Sequence, residues 1–213
     1  MLENTGNAAD SKPNILIIMT DQQFGDGMSC VLGREYLHTP NMDALAENGV
    51  RFTRAYAPNP LCMPMRTSMM TGGYPHQTGV QTNNRKRLKP TGFELGEIFK
   101  SAGYNTAYFG KWHVALEGQG GFDTFVGRDA IMNPEFAADF LKQKHDRPFL
   151  AVASFLSPHE ICQWARKESI PGKELGPVPP LDERPPLREN SEPPENETDI
   201  MTHMRQSYQA HRL

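Results

Sequence analysis

Cysteine, tryptophan and long apolar runs are scarce in this 213-residue chain, and each scarcity excludes a class of protein. The three cysteines, Cys30, Cys62 and Cys162, include no Cys-x-x-Cys pair, which argues against a disulfide framework or a zinc site. A single disulfide between Cys30 and Cys162 stays open. No apolar run reaches the roughly 20 residues that cross a membrane. The formal net charge of −3 and the scattered basic residues give no reason to expect nucleic-acid binding.

The amino-terminal segment, residues 1–12, is polar and lacks the apolar stretch of a secretory signal peptide. We therefore expect this segment to be disordered, and we expect the chain as written to be cytoplasmic. A missing or misassigned start would hide an export signal. Residues 13–213 are expected to form the folded part, with a proline-rich loop over residues 170–197.

Short apolar runs alternate with amphipathic stretches along the chain, which is typical of an α/β protein. The predicted strands cover residues 14–20, 50–56, 105–110 and 149–155. The predicted helices cover residues 39–49, a stretch from about residue 63, residues 93–102 and residues 133–145. The continuous apolar runs at 14–20 and 149–155 predict strands buried on both faces. This order favours a mixed, mostly parallel central sheet with helices on both faces.

The stretch that begins at Cys62 is the strongest candidate for a catalytic centre. Pro64 suits the first turn of a helix, so a helix is predicted to begin near Met63. Cys62 would then lie where unpaired N–H groups and the positive dipole end favour a thiolate or a bound oxyanion. Arg66 lies four residues on, a spacing that returns its guanidinium to the same face. A buried, unreactive thiol is the alternative, but it does not explain Pro64 together with Arg66.

Polar residues also follow three of the predicted strands. Asp21 and Gln22 follow the first, Lys111 and His113 follow the third, and His159 follows the last. Because ligands bind at the carboxyl ends of strands in α/β sheets, these side chains are candidates for one site. In an extended segment alternate residues share a face, which predicts that Lys111 and His113 point the same way. A turn-capping role for Asp21 is an equally good interpretation from position alone.

Together these residues resemble the signature of the type I sulfatases, in which the cysteine of Cys-x-Pro-x-Arg is converted to formylglycine. The matching positions are Cys62, Pro64, Arg66, Thr71, Gly72, and residues 21–22, 110–113 and 157–159. The chain departs from the pattern at Met65, where serine or alanine is common. The resemblance implies the alkaline-phosphatase-like α/β fold, with residues 13–213 as an amino-terminal, C-terminally incomplete portion of the catalytic domain.

The resemblance further implies a sulfuric ester hydrolase that acts on a sulfated carbohydrate or another sulfated small molecule. A formylglycine-generating enzyme would be its partner. Ca²⁺ or Mg²⁺ would be bound by Asp21, by the amide oxygen of Gln22 and by the modified Cys62. Sulfatases of this type are often exported, which stands against the cytoplasmic expectation.

The resemblance also implies a role for each candidate catalytic residue. Arg66 would orient and stabilise the formylglycine hydrate, which attacks sulfur and expels the alcohol. Lys111 would bind the sulfate group, and His113 would assist deprotonation of the hydrate. His159 would bind near the bridging oxygen and aid protonation of the leaving alcohol.

Two other interpretations stay open. The family also uses an Asp-Asn or Asp-His pair and a lysine from a later segment, and no suitable pair lies between His159 and Leu213. The chain could therefore be a catalytically silent fragment or a binding module. Gln22, in place of a second aspartate, also fits a phosphonate or phosphodiester hydrolase of the same superfamily.

Overall fold

The computed structural model describes residues 12–83, 87–127 and 134–165, and residues 168, 180, 183–185, 195–199 and 201–202. The predicted disordered segment at 1–12 and the predicted loop at 170–197 lie almost entirely outside the described residues. The chain divides into two compact units. The first is formed by residues 1–21 and 56–157, and the second by residues 22–55 and 158–213.

Strands and helices follow one another along the chain much as the apolar pattern predicts. The strands are β1 (Ile15–Asp21), β2 (Asn105–Gly110), β3 (Thr124–Gly127) and β4 (Phe149–Pro158). The helices are α1 (Ser29–Leu32), α2 (Pro40–Asn48), α3 (Cys62–Thr71), α4 (Pro75–Thr78), α5 (Leu95–Ser101), α6 (Glu135–Lys142) and α7 (Ile161–Ala165). None of the helices in the described residues is long and apolar enough to span a membrane.

The four strands form one parallel sheet in the order β1-β4-β2-β3. Strand β2 pairs in parallel with β3 and with β4, and Gly110 at the end of β2 lies opposite Ser154 of β4. In a parallel sheet the carboxyl ends of the strands meet at one edge, where ligands bind. The predicted α/β class with a mostly parallel sheet is confirmed.

Helices cover both faces of β2 and β4, because alternate residues along these strands point to opposite sides. On one face Tyr108, Leu150 and Val152 pack with Met70 of α3. On the other face the strands pack against α6 in a second apolar cluster. That cluster comprises Ala107, Phe109, Ala137, Phe140, Phe149, Ala151 and Ala153. The predicted two-sided covering is therefore confirmed for the centre of the sheet.

Strand β1 differs from its prediction as a strand buried on both faces. Ile15 and Ile17 pack against the apolar cluster that contains Tyr108, but Leu16 and Ile18 are 42% and 55% exposed. The reason is that β1 lies at the end of the strand order, with β4 as its neighbour in the sheet. A continuous apolar run cannot distinguish an edge strand from a central one. The prediction is correct for β4, whose first six residues are buried.

Residues 50–56 do not form the predicted strand. Val50, Phe52 and Tyr56 are 80%, 78% and 84% exposed. Alternation of apolar and polar residues stabilises a strand only where one face meets a core and the backbone has a pairing partner. Neither condition holds for this segment within the described residues, so the local pattern is overridden.

In the second unit a buried carboxylate ties α1 to α2. Asp43 accepts hydrogen bonds from Ser29 Oγ at 2.9 Å, from the Cys30 N–H at 3.0 Å and from Thr39 Oγ1 at 3.2 Å. Burial raises the pKa of Asp43, but these hydrogen bonds leave it below its ordinary value. All three cysteines are free thiols, so the disulfide between Cys30 and Cys162 is not formed.

Candidate functional site

Helix α3 begins at Cys62, within one residue of its predicted start. Leu61 before it has an extended backbone, and the Met65 N–H closes the first helical turn on the Leu61 carbonyl at 3.1 Å. Pro64 has no N–H to leave unpaired in this turn, and the Met63 N–H donates to Asn83 Oδ1 at 2.9 Å. The start of α3, which carries Cys62, is thus held by a main-chain hydrogen bond of its first turn and by the side chain of Asn83.

The carboxylate of Asp21, the last residue of β1, joins the candidate groups of the first unit. Its Oδ2 accepts from Arg66 Nη2 at 2.8 Å and from Lys111 Nζ at 2.9 Å. Its Oδ1 lies 3.7 Å from the thiol of Cys62, and Lys111 Nζ lies 3.7 Å from the same sulfur. Four residues predicted from three separate motifs therefore lie together.

This cluster carries an excess of positive charge in a buried place. Asp21, Arg66 and Lys111 are only 6%, 2% and 4% exposed. Burial raises the pKa of Asp21, but hydrogen bonds and charge from Lys111 and Arg66 outweigh it and hold the pKa below its ordinary value. One carboxylate and two cations leave a net charge of about +1 beside Cys62, and buried charge calls for a partner of opposite sign. The arrangement therefore favours an anionic group next to the sulfur.

Two residues that the motifs do not mark complete the surroundings of Arg66. Its Nη1 donates to the Lys111 carbonyl and to Ser154 Oγ, both at 2.8 Å, and lies 3.5 Å from the Tyr108 hydroxyl. The Tyr108 hydroxyl also donates to the Lys111 carbonyl. Ser154 had one sequence signal, since it is the only polar residue in the apolar run 149–155. Tyr108 had none, because tyrosine is ordinary in a buried strand.

A family model for sulfatases matches residues 13–211 of the chain. The chain belongs to the sulfatase family. The Ulvan-active sulfatase of Formosa agariphila is 36% identical over 185 residues, covering 70% of this chain and 36% of that protein. A crystal structure of a Bacteroides thetaiotaomicron sulfatase matches with a TM-score of 0.68 and 28% identity, covering 85% of this chain and 42% of that one.

A further structural neighbour is BT4656, solved in complex with its substrate D-glucosamine-2-N,6-O-disulfate. It matches with a TM-score of 0.61 and 30% identity, covering 70% of this chain and 35% of that chain. This sulfatase chain thus spans between 35% and 42% of the length of these three proteins. The family resemblance inferred from the motifs is confirmed.

The sulfatase signature includes three further predicted residues, His113, Gln22 and His159. Strand β2 ends at Gly110, and His113 has a left-handed backbone with φ of 43°, so the alternation expected of an extended segment does not apply to Lys111 and His113. Gln22 and His159 belong to the second unit. The roles of His113, Gln22 and His159 stay predictions.

Within the second unit, Gln22 contacts Cys162. The amide Nε2 lies 3.1 Å from Cys162 Sγ, and the thiol lies 3.3 Å from the amide Oε1. Gln22 itself has a left-handed backbone with φ of 65°, which is uncommon for a residue other than glycine. The chain therefore turns sharply directly after Asp21, at the point where β1 ends.

Next to Cys62 the cluster offers one oxygen atom, Asp21 Oδ1, of the kind that binds the hard divalent cations that sulfatases use. Ca²⁺ and Mg²⁺ prefer oxygen ligands, and the lowered pKa of Asp21 keeps its carboxylate ionised at neutral pH. Its Oδ2 holds the two cationic side chains, while Oδ1 faces residue 62. A thiol is a poor ligand for such an ion, whereas an oxygen-bearing side chain at position 62 suits it.

Proposed function

We propose that the protein is a sulfuric ester hydrolase in which Cys62, converted to formylglycine, provides the nucleophile. The single observation that carries the proposal is the position of Cys62. It stands at the start of α3, 3.7 Å from the Lys111 ammonium, inside a buried cluster with a net positive charge. Formylglycine supplies an oxygen nucleophile where an ordinary thiol would otherwise stand.

The two cations of the cluster are suited to a sulfuryl group, which is tetrahedral and anionic. Lys111 would bind a sulfuryl oxygen, because its ammonium already lies beside both the nucleophile and Asp21. Arg66 would orient the modified residue, since its guanidinium is held on the same carboxylate. Donors fixed before the reaction stabilise developing negative charge without reorganisation, which is the main source of rate enhancement at such sites.

The two histidines would handle protons. By their positions in the family motifs, His113 would take the proton from the nucleophile, and His159 would deliver a proton to the leaving alcohol oxygen. Histidine suits both tasks because its ordinary pKa lies close to neutral pH.

Asp21, the Gln22 amide oxygen and the modified Cys62 would hold Ca²⁺ or Mg²⁺. When bound, the ion supplies neutralisation of the charge on the sulfuryl oxygens. Asp21 would then serve both the ion and the two cationic side chains, each of which contacts Oδ2. The carboxylate keeps the positive groups together while the substrate brings negative charge.

A sulfated carbohydrate is the proposed substrate class. Support comes from the relatives, since one is named an Ulvan-active sulfatase and another was solved with D-glucosamine-2-N,6-O-disulfate. A formylglycine-generating enzyme is the proposed maturation partner, because conversion of the Cys62 thiol to an aldehyde is an oxidation that calls for a separate enzyme.

The test is turnover of an aryl sulfate by the purified chain, which is co-expressed with a formylglycine-generating enzyme and assayed in the presence of Ca²⁺. We expect Cys62→Ala to abolish turnover and Cys30→Ala, a change at an exposed cysteine of the second unit, to leave it intact. Mass spectrometry of the peptide that contains residue 62 reports the modification. Confirmed formylglycine without turnover would contradict the hydrolase and favour a binding module. An unconverted thiol would instead count against the covalent mechanism and implicate Met65.

A phosphonate or phosphodiester hydrolase is the second candidate. The observation that favours it is Gln22, since an amide in place of a second carboxylate makes the proposed metal site one charge less negative. Turnover of an aryl phosphonate monoester and of the matching aryl sulfate by the same preparation distinguishes the two. The larger kcat/KM identifies the natural class of ester.

A further inference from the structure

A serine on β4 joins the two cationic residues of the proposed site. Ser154 is fully buried, and its Oγ accepts from Arg66 Nη1 at 2.8 Å while donating to the Lys111 carbonyl at 2.8 Å. The Ser154 carbonyl accepts the Lys111 N–H at 2.9 Å. One residue thus contacts the guanidinium of Arg66 and both main-chain polar groups of Lys111.

These contacts fix the orientation of Arg66. The planar guanidinium places Nη2 on Asp21 and Nη1 on Ser154 and the Lys111 carbonyl. A guanidinium held through two nitrogens cannot rotate in its plane or tilt out of it without losing bonds. Loss of the serine hydroxyl would release one of the partners of Nη1 and one of the donors to the Lys111 carbonyl.

The register of the sheet explains why this residue is suited to the task. Ser154 lies opposite Gly110, the last residue of β2, and Lys111 is the first residue beyond that strand. The Ser154 hydroxyl therefore contacts the main chain at Lys111, directly after β2 ends. The contact is therefore built on a rigid element, and sites carried on strands are held more closely than sites on loops.

We infer that Ser154 is a positioning residue that fixes Arg66 relative to Lys111, so that the two cations address the same sulfuryl group. The inference rests on the proposed function for its consequence in binding. Its structural part, that Ser154 holds Arg66, can be measured independently of any activity.

The experiment compares Ser154→Ala with Thr106→Val as a matched control. Thr106 is also a buried strand residue, and its hydroxyl lies 3.1 Å from the Gly121 carbonyl and accepts the Asp123 N–H at 3.1 Å. Each change removes one buried hydroxyl that both donates and accepts a hydrogen bond, but only the first touches Arg66. The readout is hydrogen exchange of the Arg66 side-chain N–H protons by NMR, which we expect to be about tenfold faster in Ser154→Ala and unchanged in Thr106→Val.

The second readout is the affinity for inorganic sulfate, measured by calorimetry. We expect Ser154→Ala to weaken it about tenfold and Thr106→Val to leave it within twofold. A double-mutant cycle with Arg66→Lys isolates the route of the effect. Because a lysine lacks the second nitrogen that Ser154 holds, Ser154→Ala should then change sulfate affinity less than twofold.

Equal effects of Ser154→Ala and Thr106→Val on Arg66 exchange would overturn the inference, and so would strict additivity in the cycle. If the parent chain neither binds sulfate nor hydrolyses a sulfate ester, the proposed function fails, while the exchange measurement still decides whether Ser154 holds Arg66. If Ser154→Ala does not fold, Ser154→Cys is compared with the same control, since a thiol fills the position of the hydroxyl but forms weaker hydrogen bonds.

Discussion

Replacing Asp21 by asparagine tests the charge arrangement on which the site depends. Arg66 and Lys111 are 2% and 4% exposed, and each donates to Asp21 Oδ2 at less than 3 Å. With the carboxylate present, the three charges sum to about +1. Asp21→Asn raises the sum to about +2 in the same buried volume, so two like charges lose the group that holds them together.

The magnitude follows from the loss of a buried ion-pair partner, which costs about 3–5 kcal/mol. Asparagine keeps an oxygen that still accepts a hydrogen bond, so we expect the lower end, about 3 kcal/mol, in the free energy of unfolding. That is a large part of the roughly 5–15 kcal/mol that stabilises a typical domain. The assay is urea unfolding at neutral pH, followed by circular dichroism.

The control is Asp123→Asn, which breaks the exposed ion pair with Lys100. Exposed pairs contribute about 0–1 kcal/mol, so this variant should unfold close to the parent. A compensating variant, Asp21→Asn combined with Lys111→Met, returns the buried charge to about +1 and should recover part of the loss. The reasoning is refuted if Asp21→Asn is no more destabilised than Asp123→Asn, or if the double variant is less stable than Asp21→Asn.

Three further changes test other parts of the structure. The folded pKa of Asp21 lies below its unfolded value of about 4, so the ionised carboxylate stabilises the fold above that value. This stabilisation is lost as the pH falls through the folded pKa. The free energy of unfolding should therefore fall more steeply with decreasing pH in the parent than in Asp21→Asn. Gly121→Ala should lower the melting temperature far more than Gly72→Ala. Both glycines have a positive φ, so both changes strain the backbone. A Cβ at Gly121 would also lie 2.1 Å from a main-chain nitrogen of α5, whereas a Cβ at Gly72 would meet nothing within 4 Å. Thr67→Val should cost about 1–3 kcal/mol in urea unfolding, because the buried Ala115 N–H loses the hydroxyl that accepts it at 3.0 Å.

Local signals predicted the start of helix α3 well. A proline in the first turn and an arginine one turn beyond the cysteine are decided by neighbours within five residues, so no tertiary information is needed. Asp21 and Lys111 required one more rule, that carboxyl ends of parallel strands meet at one edge. That rule brings Asp21 and Lys111 towards Cys62 and Arg66, and the structure has the four in contact.

The sequence did not predict the features that depend on the order of strands in the sheet or on contacts between distant residues. Whether β1 is central or at the edge depends on which strand lies beside it, and its apolar run is the same in both cases. Residues 50–56 alternate apolar with polar residues, as a strand does, but they form no strand in the described structure. The hydroxyl groups of Tyr108 and Ser154 lie next to Arg66, which is 42 residues away in the chain from the first and 88 from the second. No local pattern specifies a contact of that separation.

The register of β2 with β4 links the fold to the proposed chemistry. Opposite Gly110 stands Ser154, and a slip of one residue would bring Ala153 or Phe155 to that position and turn every side chain of the strand to the other face. The Lys111 carbonyl would then lose the hydroxyl that also receives Arg66. Buried apolar residues on both faces of β4 make such a slip costly, because each face packs a different set of helices. The same packing that stabilises the centre of the sheet therefore sets the distance between the two cations that the proposed function needs.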